Sequence, residues 1–164
     1  MRSAGILVHV SSLPGPHGMG EIGRDALRFL DTLQAMGVGI WQILPLNPTG
    51  DGLSPYGATS TFAGNERLIE LRALREDGWL ANEDFADLEA AIARKSDMAE
   101  IAALRDRLVL LAADRFNASA GTEQRAARDA FRASQSAWIE AYCLFEAIRQ
   151  AYPDCAWPHW PNGL

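Results

Sequence analysis

A hydroxyl and a phenol lie two residues apart in Gly50-Asp51-Gly52-Leu53-Ser54-Pro55-Tyr56-Gly57, a loop-forming stretch that follows an apolar run. An aromatic face beside polar groups suits a sugar, which has apolar C–H faces and a rim of hydroxyls. A solvated turn would use the same residue types, so the composition of the stretch leaves both readings open. It lacks the Gly-Lys-Ser/Thr ending of a phosphate loop, which excludes that nucleotide chemistry. Gly18-Met19-Gly20-Glu21-Ile22-Gly23 does match the G-x-G-x-x-G pattern. Its context is wrong: Ser11 to His17 separate it from the preceding apolar run, and no acidic residue ends the next one. The bland alternative is a Gly-rich loop entering a helix. His9 closes the first apolar run and is either a hydrogen-bonded structural residue or a catalytic one. His9, His17 and His159 have no metal-ligand spacing, and Cys143 and Cys155 form neither a metal motif nor a disulfide framework. Glu21 and Asp51 are loop acids, but nothing marks them as the carboxylate pair that glycoside chemistry requires.

The elements that must position these groups follow from glycine and proline. Residues 1–65 hold 11 of the 14 glycines and five of the eight prolines, whereas residues 66–152 hold no proline. The first part is therefore turn-rich and the second can be long helix. Ala4 to Val10 and Val38 to Leu46 are short apolar runs that read as strands buried on both faces. Between them Ala26, Phe29, Leu30 and Leu33 mark one helical face over 24–36, and Gly37 is its natural stop. Strand, helix and strand at this spacing predict two parallel strands, with His9 and Tyr56 toward their shared C-terminal rim. Further on, Leu68 to Glu76 is a short helix candidate. Asn82 is the expected N-cap of a helix near 83–94. Ile101, Leu104, Leu108 and Leu111 mark another helix. Ala127, Phe131, Ser134, Trp138, Ala141, Phe145 and Ile148 predict one final helix whose stripe is a core seam. Residues 153–164 read as an extended Trp/Pro tail. Two parallel strands do not make an independent sheet, so these elements read as the front portion of something larger.

The 21 acidic residues exceed the 15 basic ones, giving a net charge of −6. An acidic surface does not attract nucleic acid or anionic membrane, and no apolar run is long enough to span a bilayer. Met1 to Val10 lacks a signal-peptide cleavage site, which leaves a cytoplasmic protein as the expectation.

Six ordered segments carry a family resemblance: His9-Val10-Ser11-Ser12-Leu13-Pro14-Gly15, Gly20-Glu21-Ile22-Gly23, Trp41-Gln42-Ile43-Leu44-Pro45-Leu46, Pro48-Thr49-Gly50, Ser54-Pro55-Tyr56 and Phe62-Ala63-Gly64-Asn65. With Trp138-Ile139, Tyr142, Leu144-Phe145 and the Trp157-Pro158/Trp160-Pro161 tail, the chain resembles the start of the amylomaltases, the disproportionating 4-α-glucanotransferases. The resemblance covers essentially the whole chain, although members of the family are far longer.

The resemblance implies an α/β fold, the N-terminal portion of a (β/α)8 TIM barrel. Residues 1–65 would start the barrel and bear a substrate loop. Residues 66–152 would be a mainly α-helical inserted subdomain, and 153–164 would lead to the remainder. It also implies transfer of α-1,4-glucan segments between maltodextrins by a retaining route, without a cofactor. The nucleophilic aspartate, the glutamate acid/base and an aspartate that holds sugar hydroxyls are expected beyond Leu164, so no catalytic residue is expected here. Ser54 and Tyr56 match donor-site positions, and His9 is a further substrate-binding candidate by its place at the rim. The family's usual aromatic after Pro-Thr-Gly is Asp51 here, its Asp before Ser-Pro-Tyr is Leu53, and its Gln after the Tyr is Gly57. Asp51 puts a secondary glucan groove in question. Two competing readings are a non-catalytic glucan-binding fragment and a nucleotide-binding α/β domain.

Overall fold

Both apolar runs of the first part pair as parallel strands in the computed structural model, which describes residues 3–50 and 53–161. β1 (Gly5–Leu7) lies beside β2 (Ile40–Gln42), with Gly5 opposite Ile40, Ile6 opposite Trp41 and Leu7 opposite Gln42. The parallel pairing is as predicted, but the strands are shorter than 4–10 and 38–46, and they are not buried on both faces. Leu7 is 60% exposed and Ile40 51%. Among the described residues the sheet has only these two strands, and two strands leave much of their surface uncovered.

α1 (Arg24–Ala35) joins them. Its Ala26 and Leu33 are buried, and Phe29 meets Trp41 edge-on with ring centroids 5.1 Å apart. Gly37 ends the helix at φ +72°, a left-handed conformation that costs glycine nothing, and its N–H donates to Gln34 O at 3.0 Å.

Residues 66–120 add helices. A 3-10 turn at Glu66–Leu68 and α2 (Leu71–Glu76) replace the single helix expected over 68–76. The helix expected from 83 starts as a 3-10 turn, Asn82–Phe85, and becomes α3 (Ala86–Ala93). Asn82 is not its cap. The cap position is Ala81, and Asp84, three residues on, closes the turn: its Oδ2 accepts the Ala81 N–H at 2.7 Å, and Arg115 pairs with the same carboxylate, its Nη2 donating to Oδ1 at 2.9 Å. α4 (Met98–Ser119) begins at Asp97, whose Oδ1 accepts the Glu100 N–H at 2.9 Å. The apolar stripe read from the sequence is used here. Ile101 and Leu108 join Leu71, Leu80, Phe85, Leu88, Ala91 and Ala112 in the core, with Leu104 and Leu111 packed against them.

Two compact units result, residues 1–59 with 64–120 and residues 60–63 with 121–164. In the second, the predicted single helix is two helices, α5 (Thr122–Ser134) and α6 (Ile139–Ala151). Gln135 and Trp138 leave the helical region, and local side-chain bonds hold the break. Ser134 Oγ donates to Phe131 O at 2.8 Å, and Trp138 Nε1 donates to Gln135 Oε1 at 2.9 Å. The expected core seam is not a core, because no described residue of α5 or α6 is buried. The described part of the tail, residues 153–161, is not extended either. It folds into a 3-10 turn at Trp157–His159, Trp160 Nε1 donates to Cys155 O at 2.9 Å, and the Trp160 ring lies 5.4 Å from that of Phe145.

Candidate functional site

The loop after β2 is closed at its neck. Thr49 and Ala58 form an antiparallel bridge, the Gly50 N–H donates to Gly57 O at 3.0 Å, and the Thr59 N–H donates to Pro48 O at 3.0 Å. Within the loop, Ser54 O accepts the Gly57 N–H at 2.9 Å, and Leu53 sits at φ +53°. Asp51 lies outside the described residues. The neck thus fixes a short projection at the C-terminal side of the parallel pair.

Alternate loop residues serve different surroundings. Leu53 and Pro55 wall a cavity of about 360 Å³, whose other walls are His9, Ser11, Ser12, Met19, Thr49, Asn65, Arg67, Met98 and Ala102. Ser54 and Tyr56 are exposed, Tyr56 at 77%. The structure therefore brings His9 to the cavity and holds Ser54 and Tyr56 on the outer surface of the same loop. A ring so exposed contributes little to the core and offers its face to a ligand.

His9 lies two residues past β1, where it precedes a 3-10 turn at Val10–Ser12. Its Nδ1 accepts the Ser11 N–H at 3.2 Å and lies 2.7 Å from Ser11 Oγ, while Nε2 lies 3.2 Å from Pro45 O. A carbonyl can only accept, so this partner set assigns the proton to Nε2. The ring ties the end of β1 to the end of β2. Both of its nitrogens are engaged within the protein.

The Gly-rich loop is organised around a carboxylate. Glu21 is 4% exposed and Arg105, on α4, is fully buried. Glu21 Oε1 accepts from Arg105 Nη1 at 2.7 Å, from His17 Nδ1 at 3.0 Å and from the Leu71 N–H at 3.3 Å. Arg105 also donates to the carbonyls of His17 at 3.3 Å, Arg67 at 2.8 Å and Ile69 at 3.1 Å. Burial pushes the Glu21 carboxyl up, but the hydrogen bonds and charges of His17 and Arg105 outweigh it and hold the group below its ordinary 4.5. Glu21 is thus ionised and committed to structure, unsuited to proton transfer.

The G-x-G-x-x-G match has a packing explanation. A Cβ at Gly20 would lie 1.9 Å from Val10 O, so only glycine fits. The α1 N-terminus, where a dinucleotide's pyrophosphate would sit, is held by Glu70, whose Oε1 accepts the Arg24 N–H at 3.3 Å. The chain supplies its own anion there. Among the described residues no three His, Cys, Asp or Glu side chains converge as metal ligands, and no helix is long and apolar enough to cross a membrane.

Sequence reasoning missed Arg105 and Arg67. The signal for Arg105 was its position, four residues after Ile101 and three before Leu108, on the buried face of an otherwise apolar stripe.

Comparison with known proteins decides the relationship. The profile of the 4-alpha-glucanotransferases, glycoside hydrolase family 77, matches residues 8–164. The chain belongs to this family. It is 41% identical over 163 residues to the 4-alpha-glucanotransferase of Thermus thermophilus, an alignment that covers 99% of this chain and 32% of that protein. The chloroplastic/amyloplastic 4-alpha-glucanotransferase of Solanum tuberosum is 37% identical, over 99% of this chain and 29% of its own length. Among solved structures, the amylomaltase of Streptococcus agalactiae in complex with acarbose superposes with a TM-score of 0.84 at 28% identity, covering 99% of this chain and 32% of that one. The chain thus spans about a third of the length of the glucanotransferases it matches.

Proposed function

We propose that this chain forms the donor-site portion of an enzyme that transfers α-1,4-glucan segments between maltodextrins. The observation that carries the reading is the exposed pair Ser54 and Tyr56, on a loop braced by a closed neck at the C-terminal side of two parallel strands, in a chain similar to 4-alpha-glucanotransferases over 99% of its length. Ligands of parallel α/β folds bind at that side of the sheet. Tyr56 stacks on a glucose ring, Ser54 hydrogen-bonds a sugar hydroxyl, and His9 holds the two strand ends together beneath the loop. Residues 1–65 start a (β/α)8 barrel, and residues 66–152 are a helical insertion in it.

Transfer with retention needs two carboxylates about 5–5.5 Å apart, one to form the glycosyl-enzyme and one to shuttle the proton. Glu21 is bound into the Arg105 cluster and does not serve. Both reacting carboxylates come from later parts of the polypeptide. Residues 1–164 alone therefore perform no disproportionation. The test is to incubate this chain with maltotriose and to separate the products by chromatography. No glucose or longer maltodextrin is expected. Turnover abolished by Glu21→Gln or Asp51→Asn would place the reacting carboxylates within this chain and overturn the assignment.

A further inference from the structure

Arg67 lies in the 3-10 turn that follows the loop, and α4 holds it from two sides. Asp106 Oδ1 accepts from its Nε at 2.9 Å, and Oδ2 accepts from its Nη2 at 2.7 Å, a two-point match between guanidinium and carboxylate. The preceding residue on α4, Arg105, donates to the Arg67 carbonyl at 2.8 Å. The backbone of the turn is fixed as well. Asn65 Oδ1 accepts the Arg67 N–H at 3.0 Å, and the Asn65 N–H donates to Leu46 O at 2.8 Å, just past β2. One edge of the guanidinium remains directed at the loop, where Nη1 donates to Thr49 Oγ1 at 3.4 Å. Thr49 is the neck residue that bridges to Ala58.

We propose that Arg67 is a positioning residue for the glucan-binding loop. It carries the placement of α4 to the neck at Thr49, and so sets where Ser54 and Tyr56 stand. The proposal rests on the reading of that loop as a sugar site. A guanidinium suits the task because its planar fork bonds Asp106 and Thr49 at fixed angles, which a lysine ammonium cannot do. The competing account is that the Arg67–Asp106 pair only staples the turn to α4.

Thr49→Val separates the two accounts, since it removes Thr49 Oγ1 as an acceptor and leaves the Asp106 staple intact. The measurements are hydrogen–deuterium exchange of the Gly50 and Thr59 amides at the neck and titration of the full chain with maltoheptaose. Thr49→Val and Arg67→Met are each expected to speed exchange at both amides about five-fold, the ratio expected of one modest hydrogen bond, while amides within α4 keep their rates after Thr49→Val. The double variant should be no faster than Arg67→Met alone, Thr49→Ser should retain the original rates, and maltoheptaose affinity should fall with neck protection. Unchanged neck exchange in Thr49→Val, or effects that multiply in the double variant, would show Arg67 to be a staple only. A parent chain that does not bind maltoheptaose would overturn the sugar-site reading, and the exchange rates would still decide the role of Arg67.

Discussion

Arg105→Met removes a cation that no solvent reaches and leaves four acceptors behind. Glu21 would lose its paired guanidinium at 4% exposure, and the carbonyls of His17, Arg67 and Ile69 would each lose a donor. Breaking a buried ion pair from one side costs about 3–5 kcal/mol, because the surviving charge is uncompensated. Domains of this size are stable by only about 5–15 kcal/mol, so the loss is a large fraction of the whole. With a urea dependence of about 1–3 kcal/mol per molar, the unfolding midpoint should fall by about 2 M. The assay is a urea titration followed by far-ultraviolet circular dichroism, in which the 22-residue α4 contributes strongly. A companion measurement identifies the cause. If the orphaned carboxylate dominates, Glu21→Gln in the Arg105→Met background should restore about 1 kcal/mol or more, since it removes the stranded charge. An Arg105→Met midpoint within about 0.5 M of the parent, or a double variant weaker by the sum of its parts, would refute the reasoning.

The same carboxylate gives a pH dependence. Glu21 is held below its ordinary value of 4.5, so the unfolded chain binds more protons than the folded one as the pH drops past that point. The stability it contributes is fully present above 4.5 and is lost as the pH falls through the folded-state value. Urea midpoints measured between about pH 5 and about pH 3 should therefore fall less steeply in Glu21→Gln than in the parent, and parallel curves would contradict this. Leu53, at φ +53°, should rank substitutions by backbone and not by chemistry: Leu53→Gly stays within about 0.5 kcal/mol, whereas the β-branched Leu53→Val costs about 1 kcal/mol, as thermal unfolding can show. Tyr56→Ala should change stability by less than about 0.5 kcal/mol, because the side chain is exposed. In the intact enzyme it should cut transfer from maltotriose by about ten-fold, the equivalent of about 1.4 kcal/mol, and unchanged transfer would remove Tyr56 from the donor site.

Local signals in the sequence were strong where one residue type had one physical use. Gly37 stops α1 because a left-handed residue is needed there, and the Ile101–Leu111 stripe faces the core because helical spacing leaves it no other place. The parallel pairing followed from the lengths of the connecting segments. Strand burial was not legible, since an apolar run reports what a strand can bury and not which neighbours cover it. The break at 135–138 was hidden for a related reason. Trp138 fits the helical stripe by spacing, yet its indole N–H bonds Gln135 and its backbone leaves the helix. The turn begins one residue before the expected position, with Ala81 as its cap, and the Asp84 carboxylate that closes it pairs with Arg115, 31 residues away. In the candidate site the Ser54–Tyr56 loop was visible as a motif, whereas Arg67 and Arg105 acquire meaning only when α4 is brought against residues 17–23 and 65–69.

Those long separations set an order of events during synthesis. The ribosome releases His17 and Glu21 well before Arg105, which follows them by 88 and 84 residues. Until α4 emerges, Glu21 has only His17 beside it and lacks the guanidinium that offsets its burial. Glu70, which holds the start of α1, also arrives 46 residues after the N–H it accepts. The first elements made are therefore among the last to be secured, and the nascent β1–α1–β2 segment waits with its apolar face in water. Codon changes that slow translation between residues 40 and 105 should lengthen that wait and raise the demand for chaperones, while the finished protein keeps the same stability.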